Sequence, residues 1–143
     1  VSPKKLSAWF STVVAQATET VAGFAKIASQ VQTNAGTDDT TIVTPKKLRN
    51  GFAYLMGASG YIAFPSWLGG WIFQWGAGSI VTGATVTVTL PIPFPNAAGR
   101  ALCCHGSGSG AVPTSIGTLT QTSLTLNMPA TNSGTVLFVA IGN

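Results

Sequence analysis

The chain of 143 residues has room for one ordinary domain, or for one small domain plus a repeat unit. Charged residues make up 7% of it, against about 25% in a typical soluble protein, and Arg100 is the only one after residue 50. Four Trp and seven Phe argue against disorder, and the most apolar stretch, residues 60–76, is too short and broken for a transmembrane helix. We therefore expect no membrane insertion, and an oligomer whose interface hides much of the uncharged surface.

A six-residue motif occurs twice along the chain. Val-Ser-Pro-Lys-Lys-Leu at residues 1–6 returns as Val-Thr-Pro-Lys-Lys-Leu at residues 43–48, an offset of 42 residues. Repetition at a period of about 20–50 residues is typical of arrays built from copies of one supersecondary unit. The chain also begins inside such a unit without an initiator Met, so we expect the C-terminal piece of a longer, elongated protein.

Each copy of the motif predicts a short amphipathic helix. Ser2 and Thr44 are good N-caps, and the proline after each suits the first helical position. The apolar faces are Leu6, Trp9, Phe10, Val13 and Val14 in the first helix and Leu48, Phe52 and Leu55 in the second. Between the helices, residues 20–28 fit a helix and a strand about equally. Residues 34–36 and 38–39 are typical of turns or caps, with cation binding by the two aspartates as the less favoured alternative.

After residue 57 the pattern changes from helical to alternating, and several short strands separated by turn-forming residues predict an antiparallel β-sandwich. Residues 85–90 alternate strictly, as a half-buried strand does. Further strands are predicted at residues 119–126 and 135–141, with shorter ones at 71–75 and 100–104. The proline-rich residues 91–96 predict an edge or a long loop. We expect a mainly β protein with a repeat region at 1–56 and a β head at 57–143.

The predicted head does not support catalysis. Glycan hydrolysis needs two positioned carboxylates, and residues 57–143 contain none. His105 is the only base beside a nucleophile, and as the chain neighbour of Cys104 it lacks an orienting partner. The adjacent Cys103 and Cys104 predict two reduced thiols rather than a disulfide or a zinc site. We expect no enzyme activity, no cofactor and, because six of the seven basic residues precede residue 50, no nucleic-acid partner.

His105 and the aromatic residues of the head allow structural and functional interpretations. We expect His105 to be a solvent-facing loop residue; in the less favoured alternative, three copies meet at a metal ion on a threefold axis. Trp71, Phe73 and Trp75 alternate by two and therefore share one face of a strand, which favours a core or a subunit interface over a sugar-stacking platform. Trp67, in a predicted loop, is the better candidate for exposure.

Several segments of the chain together resemble a known family. Residues 17–28, 34–39 and 43–48 look like the shaft-end repeat of tail fibres from tailed bacteriophages and phage-tail-like bacteriocins. Residues 60–65 and 69–76 are similar to the opening of the C-terminal sandwich domain of such fibres. The resemblance implies a parallel homotrimer, a strand at residues 20–28, a dedicated fibre-assembly chaperone, and a place at the distal end of the fibre on a virion made in the host cytoplasm. It also implies that the last domain binds the host surface, often lipopolysaccharide.

Receptor specificity does not follow from these motifs, so candidates for receptor contact come from the residues themselves. Asn, Ser and Thr side chains can hydrogen-bond sugar hydroxyls, an aromatic ring can stack on a sugar, and Arg can pair with phosphate. The candidates are Trp67, Phe94, Asn96, Arg100, His105, Ser107, Ser109, Asn132 and Ser133. Three copies of a weak site in one trimer would bind with avidity.

Two alternatives to a receptor-binding head stay open. One is a structural trimerisation tip that does not contact a receptor. The other is a capsule-degrading enzyme at an intersubunit cleft, to which Glu19, Asp38 or Asp39 would have to contribute, because these are the only acidic side chains.

Overall fold

The computed structural model describes residues 2–13, 15–81, 85–108, 112–129 and 131–143. It divides the chain into two compact units, residues 1–50 and 51–143. Val14, predicted on a helical face, and Ser109, predicted in the receptor site, lie outside the described residues, as does the side chain of Ser107. No helix within the described ranges is long and apolar enough to cross a membrane.

The first unit consists of short helices and two very short strands. The helices are α1 (Pro3–Val13), α2 (Gln30–Ala35) and α3 (Pro45–Arg49), and the strands are β1 (Lys26–Ile27) and β2 (Thr41–Ile42), which pair in parallel. The strand that the resemblance implies at residues 20–28 is thus reduced to β1. Ala28 is the one buried apolar residue among those described here, while Trp9, Phe24 and Val31 are exposed. A single copy of this unit therefore has almost no core.

Both predicted helix starts are confirmed, because α1 begins at Pro3 and α3 at Pro45. The Ser2 hydroxyl accepts a long hydrogen bond from the Lys5 amide at 3.4 Å, whereas Thr44 makes no side-chain capping bond. The predicted continuation of α3 to Leu55 is wrong. The helix ends at Arg49, and Gly51 follows at φ +86°, a left-handed conformation that stops a helix and suits glycine.

Residues 34–36 end α2, a helix that the sequence pattern did not predict. The Ser29 hydroxyl accepts from the Gln32 amide and the Gln32 side chain accepts from the Ser29 amide, so both halves of a capping box are present. Gly36, at φ +63°, closes the other end. The Asp38 carboxylate accepts from the Thr40 amide at 2.7 Å and the Thr40 hydroxyl at 2.8 Å. The turn interpretation is therefore confirmed for Asp38.

The second unit contains two antiparallel sheets, so the predicted antiparallel β structure of the head is confirmed. In the described residues the larger sheet has the order β3–β4–β5–β10–β7, and the smaller sheet has the order β6–β9–β8. The strands are β3 (Ala53–Leu55), β4 (Gly60–Ala63), β5 (Ile72–Ile80), β6 (Thr85–Thr89), β7 (Ala98–Gly108), β8 (Ser115–Leu119), β9 (Ser123–Asn127) and β10 (Gly134–Gly142).

Side chains from both sheets and from one loop share a single core. It comprises Ile72, Ile80, Leu90, Phe94, Leu124, Leu126, Val136, Phe138 and Ala140. Gly78 of β5 shows how closely the sheets approach, because a Cβ there would lie 2.7 Å from a Val88 methyl group and 2.8 Å from a Val86 methyl group. Glycine at position 78 therefore lets the two sheets pack at this distance.

Two predictions about strands need correction. The strand predicted at residues 119–126 is a hairpin, since β8 ends at Leu119 and β9 begins at Ser123. The Thr120 hydroxyl accepts from the amides of Ser123 and Thr122 at 2.9 and 3.3 Å, which turns the chain without glycine or proline. The short strands predicted at 71–75 and 100–104 are parts of longer strands, because β5 begins one residue later, at Ile72, and continues to Ile80, and β7 runs from Ala98 to Gly108.

The strands of the larger sheet define two opposite ends of the head. At the first end, Gly142 pairs with Ile72 and Ala98, next to the turn at residues 64–71 and the loop at residues 91–97. At the second end, Gly134 pairs with Ile80 and Gly108. The nine residues of β5 separate these ends by about 30 Å. The chain enters the unit at the first end, where Gly51 lies against Pro65.

Candidate functional site

The predicted receptor-binding residues do not form one cluster. Trp67, Asn96 and Arg100 lie toward the first end of the head, whereas Asn132 and Ser133 precede Gly134 at the second end. The described backbone of Ser107 also lies toward the second end. Because the two ends are about 30 Å apart, these residues cannot contact one sugar together in a single chain.

Phe94 has to be withdrawn as a receptor contact. It is 1% exposed and belongs to the core, although it comes from the proline-rich loop. Its ring fills the gap between the sheets at the first end, where a Cβ on Gly142 would lie 2.7 Å from Phe94 Cδ1. Where two packed sheets end, an apolar side chain from a loop has to fill the space between them. The alternation of apolar and polar residues along the strands does not show which loop residue does so.

His105 lies in β7 rather than in a solvent-facing loop, so that prediction is wrong. It pairs with Val136 and is half-buried, and its Nε2 is buried without a hydrogen-bond partner among the described residues. No group of three metal-binding side chains occurs in the part of the chain that the structure describes. A metal site formed by three copies of His105 stays a prediction. Cys103 and Cys104 are free thiols, as predicted.

The aromatic residues of β5 lie on the outer face of the larger sheet, opposite the core. The inner residues of β5 are Ile72, Gln74, Gly76, Gly78 and Ile80, so Phe73 and Trp75 point away from the smaller sheet. We define the outer face by Phe73, Trp75, Leu102, Leu137 and Val139. The exposed fraction reaches 78% for Leu102 and 51% for Val139. The core interpretation of the aromatic face is therefore wrong, and the interface interpretation stays a prediction.

Two apolar grooves run along this outer face. One, of about 450 Å³, is lined by Ala58, Trp75, Gly76, Leu102, Cys103, Cys104, Leu137, Phe138 and Val139. The other, of about 370 Å³, is lined by Phe64, Leu68, Trp71, Phe73 and Ile141. Both lack charged residues, and Trp75 Nε1 donates to the Gly57 carbonyl at 3.0 Å. The outer face thus offers two apolar grooves, and the indole N–H of Trp75, which lines one of them, is already hydrogen-bonded.

A third cleft, of about 430 Å³, has a different character. It lies at the first end of the head and is lined by Ala63, Phe64, Ser66, Gly69, Gly70, Ile72, Pro95 and Asn96. Asn96 was predicted from its residue type, whereas Ser66 and the glycine pair were not predicted. The signal that could have found them is Gly69–Gly70, since both glycines have left-handed φ values, +83° and +62°, in a tight turn. We call this feature the end cleft.

Two further predicted residues lie outside the lining of the end cleft. Trp67 is about one-third exposed and packs edge-to-face on Phe52, with ring centroids 6.3 Å apart. Arg100 is exposed, and its Nη1 donates to the Gly99 carbonyl at 3.0 Å. The lining of the end cleft therefore contains polar groups but no charge.

One known protein family resembles this chain in sequence. Residues 63–143 match the family described as “Putative tail fiber protein gp53-like, C-terminal”. No curated protein sequence matches the chain.

Solved structures of pyocin tail fibres have a similar fold. An N-truncated R2-type pyocin tail fibre is 19% identical, with a TM-score of 0.59 over 90% of this chain and 57% of that chain. A C-terminal part of the R2 pyocin fibre of P. aeruginosa gives the same identity and TM-score over 39% of its length. An N-truncated R1-type fibre is 18% identical, with a TM-score of 0.51 over 71% of this chain and 98% of that chain. This chain thus spans about 57% and 39% of the two R2 fibres.

At these identities the likeness establishes a shared fold. The family match is independent of it, and together they confirm the resemblance to the C-terminal region of a tail fibre. Since the match extends over more than half of the 143 residues, this chain belongs to the gp53-like tail fibre family, whose C-terminal domain it carries at residues 63–143.

Proposed function

We propose that this protein is the distal part of a homotrimeric tail fibre, and that its head binds a glycan on the host cell surface during adsorption, with lipopolysaccharide as the receptor. A tail fibre is a component of a virion or of a phage-tail-like particle, and membership of the family supports that location. The proposal is carried by the division of the head surface into one largely apolar sheet face and two ends with amide and hydroxyl side chains.

The outer face supports an assembly of several copies. Monomeric proteins rarely expose contiguous apolar patches of more than a few hundred Å². The outer face presents two apolar grooves and exposed side chains such as Leu102 and Val139, and Arg100, which pairs with Ile141, is its one charged residue. Burial of this face against equivalent faces of two other copies would remove it from water, as in obligate oligomers. The apolar face supports an oligomer of unspecified size, and the proposal of three parallel chains comes from the family resemblance.

The two ends of the head remain available for a receptor in such an assembly. Asn96 and Ser66 at the first end, and Asn132 and Ser133 at the second, are amides and hydroxyls, which both donate and accept hydrogen bonds. Sugar hydroxyls need partners of this kind, whereas a polyphosphate partner would need a basic surface that residues 51–143 lack. Three copies of a weak site would add avidity.

Catalysis and a metal form no part of this proposal. The three acidic side chains, Glu19, Asp38 and Asp39, all lie in the first unit, and the head has no carboxylate side chain with which to hydrolyse a glycan. A fibre-assembly chaperone is proposed on the resemblance alone.

The trimer is tested by light scattering of the purified full chain. We expect a mass about three times 14.6 kDa. Leu137→Asp places a charge on the outer face and should yield monomers, because a buried unpaired charge costs more than the interface gains. Thr118→Asp, at an exposed position of β8, is the matched control and should stay trimeric. A monomeric wild type, or a trimeric Leu137→Asp variant, would contradict the assembly.

Receptor binding is tested with labelled full-length protein on a panel of bacterial strains and on mutants of the same strains that lack lipopolysaccharide sugars. We expect binding to drop at least about tenfold on cells without those sugars. A trimer that binds no strain would instead be a structural tip. Release of reducing sugar from the surface glycan would indicate the capsule-degrading alternative.

A further inference from the structure

We infer that the end cleft binds one uncharged sugar residue of the surface glycan. This inference rests on the proposed function and names the site and the ligand class within it. The cleft volume of about 430 Å³ lies within the range of small-molecule sites, about 300–1,000 Å³. Its lining includes the apolar side chains of Ala63 and Ile72, which suit the C–H face of a sugar ring.

The loop that forms one wall is fixed before any ligand arrives. Gln74 is fully buried, and its Oε1 accepts from the Ile92 amide at 2.9 Å. The Asn96 amide donates to the Asn143 carbonyl at 2.7 Å, and the Asn96 carbonyl accepts from Gln121 Nε2 at 2.7 Å. Together with the buried ring of Phe94, these bonds hold the backbone of Asn96 in place, so little conformational entropy is lost when a ligand binds.

The turn that forms the other wall is also closed on itself. The amides of Leu68 and Gly70 donate to the Pro65 carbonyl at 2.9 and 3.0 Å, and the Phe64 amide donates to the Trp71 carbonyl at 2.8 Å. The Trp71 indole packs against Gly69, where a Cβ would lie 3.0 Å from Nε1. Glycine is required here both by φ +83° and by this close approach. The indole N–H therefore reports on the state of the turn.

The polar side chains of the two walls are free to bind a ligand. Neither the Asn96 side-chain amide nor the Ser66 hydroxyl has a hydrogen-bond partner within the described residues, although the Asn96 backbone amide and carbonyl and the Ser66 carbonyl are all hydrogen-bonded. An amide and a hydroxyl, one on each wall, can each donate and accept, which matches neighbouring sugar hydroxyls. No charged side chain lines the cleft. A phosphorylated or acidic sugar would therefore find no cationic partner in the lining, and a neutral sugar is the better fit.

The second end of the head provides a natural comparison because it carries the same pair of residue types. There, Asn132 Oδ1 already accepts from the Thr131 hydroxyl at 3.1 Å, and the Asn132 amide donates to the Pro129 carbonyl at 3.0 Å. The side chain of Asn132 is thus partly engaged, whereas that of Asn96 is not. The double substitutions Ser66→Ala/Asn96→Ala and Asn132→Ala/Ser133→Ala form a matched pair.

A direct test uses NMR of the full-length protein titrated with the methyl glycosides of glucose, galactose, mannose and N-acetylglucosamine. At least one glycoside should shift the Trp71 indole N–H resonance in the wild type and in the control Thr118→Ala, which is at an exposed position of β8, but not in Ser66→Ala/Asn96→Ala. Glucose 6-phosphate and glucuronate should shift it less. Absence of a shift with every neutral glycoside, or a larger shift with the anionic sugars, would overturn the inference.

The same variants are then compared in the cell-binding assay. Ser66→Ala/Asn96→Ala should weaken binding at least about tenfold while it keeps the wild-type mass and melting temperature, and the control Thr118→Ala should stay within about twofold of wild type. Wild-type binding should change little between about 50 and 200 mM NaCl, because no phosphate is neutralised. If the wild type binds normally and only the second-end variant fails, the cleft assignment is wrong and the proposed function stands. If the wild type binds equally to cells with and without lipopolysaccharide, the proposed function itself fails. The glycoside titration then still tests, independently, whether the end cleft binds a neutral sugar.

Discussion

The two units of this chain distribute charge and apolar surface in opposite ways. The first unit, residues 1–50, holds nine of the ten charged side chains, yet only Ala28 is buried among its described apolar residues. The second unit, residues 51–143, holds one charged side chain, and nine buried residues among those described form its core from two sheets and a loop. Burial of apolar area is the main driving force for folding, so the two units cannot be stabilised in the same way.

The two units therefore differ in what they need from other copies of the chain. The exposed Trp9, Phe24 and Val31 of the first unit have no core to join within one chain, and fewer than about 60 residues rarely stabilise themselves without additional cross-links or partners. The second unit can fold around its own core and leaves one sheet face to be covered. Assembly should therefore be a condition of folding for the first unit and an addition to it for the second.

The largest expected effect comes from separating the units. Residues 51–143 expressed alone should unfold in one cooperative thermal transition, because the core lies entirely within them. Residues 1–50 alone, at micromolar concentration, should show no cooperative thermal transition, and their circular dichroism spectrum should show little helix or strand, because isolated short helices are marginally stable in water. Circular dichroism melts of both fragments check this. A cooperative thermal transition of monomeric residues 1–50 would show that the first unit, like the second, is stable without other copies of the chain.

A smaller effect is expected from one substitution made in both units. Leu124 in β9 is 0% exposed, and Leu124→Ala should lower the free energy of unfolding of the head by about 2–5 kcal/mol, as cavity-forming substitutions do. Leu48 in α3 is 57% exposed, and Leu48→Ala should leave the main unfolding transition of the full chain within about 0.5 kcal/mol of wild type. Urea denaturation followed by tryptophan fluorescence measures both. Equal losses would mean that the first unit shares the stability of the head.

Local rules predicted the structure well where the cause of the structure is local. Ser-Pro and Thr-Pro gave the starts of α1 and α3, and strict alternation gave β6. The hairpin between β8 and β9 was missed because Thr120 turns the chain through its hydroxyl, and threonine is otherwise typical of strands. The end of α3 was missed for a related reason, because one glycine in a left-handed conformation outweighed the apolar spacing of Phe52 and Leu55.

The candidate site was harder to predict because it depends on which face of a strand is covered. The spacing of Phe73 and Trp75 correctly placed them on one face, but a period of two does not say which face meets the second sheet. Both faces of β5 and β10 carry apolar side chains, so hydropathy could not decide either. Asn96 was predicted from its residue type, while Phe94, two positions earlier in the same loop, was predicted on the same grounds and is buried. Only the packing of the loop against both sheets separates the two.

The smallest expected effect concerns acid, and it contrasts the units through their carboxylates. The Thr40 amide, followed by the Thr40 hydroxyl, donates to Asp38 and holds the pKa of this carboxyl below its ordinary value of 3.8. A lowered pKa means that the charged form stabilises the folded turn, fully so above pH 3.8, and that this contribution is lost as the pH falls below that value. The head has no acidic side chain to titrate.

Between about pH 7 and pH 2, the Thr40 amide resonance of the wild type should therefore shift with a midpoint below 3.8, while amides in the core strand β9 should not move. Asp38→Asn keeps an oxygen that can accept from the Thr40 amide but cannot be protonated in this range, so the shift at Thr40 should disappear. Asp39→Asn is the control that should leave it unchanged. A Thr40 shift that survives in Asp38→Asn would assign the acid response to another group. In that case the hydrogen bonds of Asp38 would not be the cause of the different responses of the two units to acid.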